Sequence, residues 1–144
     1  ETYRSEEFTD EKSLPERYSG KRSFSTAIYF LLTSQKSSAW HKVKSDETWH
    51  FHHGSSLSLA WINQQNLLKV QKIGLDLEDN EVPQFTVPAN CWFAAKVNKE
   101  ASYSLVSCTV APGFDFRDFE LANVDDLLKK YPEYSTEILN FAAI

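Results

Sequence analysis

Basic residues are in short supply: 15 Lys and Arg stand against 20 Asp and Glu, a net charge of -5. No broadly basic face is expected, so nucleic acid and anionic membrane surfaces are disfavoured as partners. Cysteine is scarcer still, with only Cys91 and Cys108. Two thiols make no disulfide framework, and neither has a CxxC partner or a histidine at metal-ligand spacing, so both read as free, buried core residues. Long apolar runs are missing too. The stretch from Ala27 to Leu32 is far below the roughly 20 residues that span a bilayer. The charged opening does not resemble a signal peptide, and a cytoplasmic location is the default expectation. Internal repeats and low-complexity segments are absent.

What is present suits one globular domain. The 144 residues are 42% hydrophobic, with 10 Phe, 6 Tyr and 4 Trp to fill a core, which leaves little room for a second domain. Residues 1–23 are polar, anchored only by Tyr3, Phe8, Leu14 and Tyr18, and read as an N-terminal arm. From 24 to 122 the pattern is all-β: short β-branched and aromatic runs alternate with polar turns. The spacing predicts strands at 26–33, 39–44, 48–52, 56–62, 67–73, 84–87, 91–96 and 102–110, enough for a sandwich or barrel. Residues 123–144 form a helical tail. Asn123 caps a helix carrying Val124, Leu127, Leu128 and Tyr131, Pro132 ends it, and a further turn is predicted over 136–143.

All four histidines fall between His41 and His53. Alternation along neighbouring strands puts His41 and Val43 on one face, and groups Glu47, Trp49, Phe51 and His53. Trp49 and Phe51 draw Glu47 inward, while His50 and His52 fall outside. A buried carboxylate needs a partner, and His41 is the expected one. The pair is either a general acid/base couple, with Glu47 orienting the imidazole and raising its proton affinity, or a satisfied structural contact.

These residues carry a resemblance. His41, Glu47 and Gly54 match in type and spacing the first motif of the cupin superfamily, with Val43 replacing its second histidine and Gln35 its leading glycine. Pro88 to Phe93 resembles the second motif, Asn90 replacing its glycine and Phe93 its histidine. The strings STAIYFLL (25–32), AWHKVKSDETWHFHHG (39–54), PQFTVPANCWFAA (83–95) and CTVAPGFDFRDFELA (108–122) are similar to the small single-domain fifth cupin family, over residues 1–131. The resemblance implies a double-stranded β-helix, a jelly-roll barrel shared with deoxysugar epimerases, usually a homodimer.

Two of the four metal-ligand positions are lost, so any metal would rest on His41 and Glu47 with help from Tyr29, Gln84 or His53. The cofactor is left open. Three readings follow. One is an isomerase or epimerase acting on a sugar or nucleotide derivative, with His41 moving protons and Tyr29 or Tyr103 as the opposite donor. The second is a ligand-binding barrel without turnover, and the third a metal-dependent enzyme. A small-molecule ligand is expected in each, against Trp49, Phe51, Gln84, Phe93 and Tyr103. Arg4 and Arg22 are candidates to clamp an anionic group. Phe114, Phe116 and Phe119 are expected to pack under the barrel floor.

Overall fold

The computed structural model describes residues 1–7 and 14–142. Its strands are β1 (Tyr3–Arg4), β2 (Thr26–Thr33), β3 (Ser38–Val43), β4 (Asp46–Gly54), β5 (Leu57–Ile62), β6 (Leu68–Ile73), β7 (Glu81–Val82), β8 (Gln84–Val87), β9 (Trp92–Val97), β10 (Tyr103–Ala111) and β11 (Phe119–Leu121). All eight expected strands are present, two of them with the expected bounds and the others with ends displaced by at most two residues. The short β1, β7 and β11 were too brief to stand out as alternating runs. Two helices follow, α1 (Val124–Lys130) and α2 (Ser135–Phe141). The Asn123 side chain caps α1, accepting from the Asp126 N–H at 3.2 Å.

The strands form two sheets, ordered β1-β2-β10-β4-β8 and β11-β3-β9-β5-β6-β7. All pairings are antiparallel except β6 with β7. Between the sheets lies one apolar core, built from Leu32, Trp49, Leu57, Leu59, Phe93 and Val106 among others. The six-stranded sheet is buried on its other face as well. There Trp40, Ala60, Ile62 and Ala94 meet Leu127, Ile138 and Phe141 of the helices. The Trp40 indole N–H donates to the Ile138 carbonyl at 3.0 Å. This two-sided burial explains why β5 and β9 read as nearly continuous apolar runs.

The arm is tied down at Leu14 and Tyr18, both buried, whereas Phe8 lies outside the described residues. Tyr18 shares a 2.7 Å hydrogen bond with Ser45. Arg22 is wholly buried: Nε and Nη2 each reach the Asp118 carboxylate at 2.7 Å, and Nη1 donates to the carbonyls of Ser19, Gly20 and Lys21. The arginine thus clamps a carboxylate of this chain. No helix among the described residues is long and apolar enough to cross a membrane.

Candidate active site

One end of the inter-sheet space opens into a cavity of about 860 Å³, within the range of small-molecule sites. Both sheets supply its walls. Inward-facing residues of β2 (Thr26, Ile28, Phe30) and β10 (Cys108, Val110) line one side with Glu47 from β4. His41 of β3 and Leu121 of β11 line the other, and Ser37 and Ser38 flank them. The mouth carries Glu1, Arg4, Phe114, Asp115 and Phe116.

His41 is 9% exposed and Glu47 8%. They share this cavity, but no hydrogen bond or ion pair joins them, which corrects the expected pairing. The reason is that they stand on opposite sheets, each with a nearer partner. The Nδ1–H of neutral His41 donates to the Ala39 carbonyl at 2.7 Å, because a carbonyl only accepts. Nε2 is thereby left with the lone pair. The imidazole lies between Phe93 and Phe119, with ring centroids 4.1 and 5.3 Å away. Burial pushes its pKa down, partly offset by the Ala39 bond, so its proton affinity falls rather than rises. It is an uncharged base at neutral pH.

Glu47 behaves in the opposite sense. Burial lifts its carboxyl from the ordinary 4.5 to about 7, against the lowering effect of the Cys108 thiol and the Trp49 indole N–H. The indole group lies near the carboxylate yet meets no regular hydrogen-bond geometry with any partner. Cys108 donates to Glu47, and burial followed by the adjacent carboxylate pushes the thiol far above its usual range. It acts as a neutral donor, not a nucleophile.

Of the residues singled out from sequence as catalytic or ligand-binding, His41 and Glu47 line the cavity, with Arg4 at its mouth. Tyr29 is 66% exposed on the outer face, its ring edge against His52. Gln84 is exposed on β8, and Tyr103 is exposed with its hydroxyl 2.7 Å from His53 Nδ1. Trp49, Phe51 and Phe93 pack in the core. His53 also leaves the group assigned to it. Val106 pairs with Phe51 and Leu105 with His53, so a bulge at His52 turns the end of β4 outward. The histidines then separate: His50 bonds Thr109 and His52 bonds Ser107.

The sequence reading also missed Ile28, Phe30, Cys108 and the phenylalanine cluster. Phe114, Phe116 and Phe119 meet edge to face at centroid distances of 5.1 to 6.3 Å. They surround the cavity rather than pack under a floor, and Phe116 is 81% exposed. Their spacing by acids and an arginine was the available signal.

The donors present do not fit a metal ion. His41 and Glu47 face each other without a third ligand, since Val43 and Phe93 hold the positions where the cupin motifs place histidines. Among the described residues no group of three His, Cys, Asp or Glu converges, whereas catalytic zinc or iron sites use about three protein ligands. Tyr29, Gln84 and His53, the expected auxiliaries, are on the outside.

Two antiparallel sheets closing on a cavity, with a histidine and a glutamate from the first cupin motif on facing walls, define a cupin-type barrel. The chain belongs to this group: residues 1–122 match the family described as Cupin superfamily (DUF985). It is similar to protein SO0799 from Shewanella oneidensis, with 38% identity and a TM-score of 0.85 over 98% of this chain and 83% of that one. Uncharacterized protein YML079W of Saccharomyces cerevisiae is 28% identical over 122 residues, 81% of this chain. The chain spans 61% of that relative's length. A dTDP sugar isomerase from Desulfovibrio desulfuricans G20 shares the fold alone, at 10% identity and TM-score 0.58, over 75% of this chain and 68% of that one.

Proposed function

We propose that the protein binds a small cyclic molecule in this cavity and catalyses proton transfer on it, in the isomerase or epimerase class. The observation that carries this reading is the pair of opposed groups: a neutral imidazole on one sheet and a carboxyl poised near 7 on the other. Groups whose environments separate their proton affinities mark the base and the acid. His41 Nε2 takes the proton from a carbon next to a carbonyl, and the Glu47 carboxyl gives its proton to the carbonyl oxygen. Reprotonation of the carbon completes the exchange, and Glu47 recovers its proton. Neither Tyr29 nor Tyr103 is needed as donor. The isomerase that shares the fold supports the reaction class by analogy only.

The test is deuterium wash-in. A panel of cyclic hydroxy-ketones, lactones and reducing sugars is incubated in D2O and followed by NMR. Wild type should label one carbon of a panel member, and His41→Ala should slow labelling at least about 100-fold, the range of general-base catalysis, while still folding. Full labelling by His41→Ala would remove the mechanism. Heat of binding without any label would mark the protein as a ligand-binding barrel instead.

A homodimer is part of the same reading. Away from Asp46 at the start of β4, which accepts from the Ala89 N–H, the outer face of the five-stranded sheet displays Ala27, Tyr29, Leu31, Thr48, His50, His52, Leu105, Ser107 and Thr109, none of them acidic or permanently charged. Two copies of net charge -5 repel wherever acids face each other. This uncharged, aromatic-bearing face is where a second copy meets least repulsion, in the composition of an interface core.

A further inference from the structure

We infer that the cavity selects an uncharged ring-bearing ligand and rejects phosphorylated or nucleotide forms, because the cationic side chains that the described residues place at its mouth are already committed within the chain. This rests on the cavity being the binding site and narrows the substrate class expected from sequence.

Among the described residues lining the cavity, Arg4 carries the one cationic side chain. Its Nε and Nη2 bond the Glu1 carboxylate at 3.1 and 2.6 Å, and Nη1 and Nη2 both donate to the Phe114 carbonyl at 3.2 Å. A guanidinium has five N–H groups, so a single one remains. Arg117, next along the mouth segment, holds Asp115 through Nε and Nη2 and donates to the Ser19 and Lys21 carbonyls. That pairing keeps the Asp115 carboxyl well below the usual range. Arg22, buried behind the mouth segment, is consumed by Asp118. An incoming dianion would have to displace Glu1 and then sit between the freed carboxylate and Asp115.

The uncharged side of the cavity is, by contrast, unfinished. Phe114, Phe116 and Phe119 offer ring faces and edges at the entrance, the geometry that receives a flat or ring-shaped apolar surface. Ser37, on the wall, has a buried hydroxyl with no partner in the protein. Such a group is normally satisfied, and a ligand hydroxyl or carbonyl supplies what it lacks. Rings below and a neutral polar partner above describe a cyclic alcohol, phenol or ketone.

Calorimetry with a matched pair, 2-naphthol and 2-naphthyl phosphate, at pH 7.5 tests this. Naphthol should bind one per chain and at least tenfold more tightly than its phosphate. Ser37→Ala should weaken naphthol severalfold with the melting temperature unchanged, and Glu1→Gln, by freeing Arg4, should narrow the gap between the two probes. Tighter or equal binding of the phosphate overturns the inference while leaving the cavity as the binding site. Absence of saturable binding by either probe overturns the cavity reading, and this inference with it.

Discussion

Glu47 makes the folded state hold a proton that the unfolded chain releases. Its carboxyl titrates near 7 when folded against 4.5 ordinarily, so between those values the native state binds more protons and stability falls as pH rises. The contribution is full below about 4.5 and is lost as pH passes 7, on the order of 3 kcal/mol by linkage. His41 acts the other way: with its pKa lowered by burial, the native state loses stability as pH drops below the ordinary imidazole value. Denaturant unfolding of wild type and Glu47→Gln from pH 5 to 8 separates the two. The variant should gain on wild type steadily toward pH 8, and parallel curves would contradict the burial of a titrating carboxyl. Cys108→Ala removes a donor that favours the anion, so the Glu47 titration followed by carboxyl NMR should move above 7.

At the scale of elements, the segment from Phe114 to Leu121 is the least self-sufficient part of the cavity. Only the three residues of β11 pair with a sheet there, and the buried tie that holds the rest is the Arg22–Asp118 pair, whose side chains are each 1% exposed, beside the exposed bonds of Arg4 and Arg117. Asp118→Ala leaves the guanidinium buried and unpaired, a loss of about 3–5 kcal/mol. Urea midpoints should show it, and Arg22→Met with Asp118→Leu should recover much of the loss because neither charge remains. A single variant as stable as wild type would mean that the clamp does not hold the mouth. Elements were also where sequence reading succeeded and failed. Strand positions and the Asn123 cap follow from local patterns and are found where expected. Faces were harder: β2 is apolar on both parities, so Tyr29 and Phe30 look alike until one wall is seen to close the cavity. The β4 bulge resets the parity that had placed His53 inside, and nothing in the residues around it announces the extra one.

For the whole molecule, the uncharged sheet face carries the assembly prediction. Light scattering behind a sizing column should give twice the chain mass of 16.6 kDa, and Tyr29→Glu with Leu31→Glu should give the monomer with the fold intact by circular dichroism. A monomeric wild type would refute the dimer. The family and the barrel followed from the resemblance of the motifs to known cupins, and the strands and the inward placement of His41 and Glu47 were readable from residue order alone, since alternation and turn chemistry are local. Which groups meet across the barrel was not. His41 and Glu47 are six positions apart yet lie on different sheets; His41 takes the Ala39 carbonyl of its own strand, whereas the Cys108 thiol reaches Glu47 only through the pairing of β4 with β10. Contacts between distant segments depend on register and sheet closure, which are properties of the assembled chain, and those contacts set the charge on each group and the neutrality of the cavity mouth.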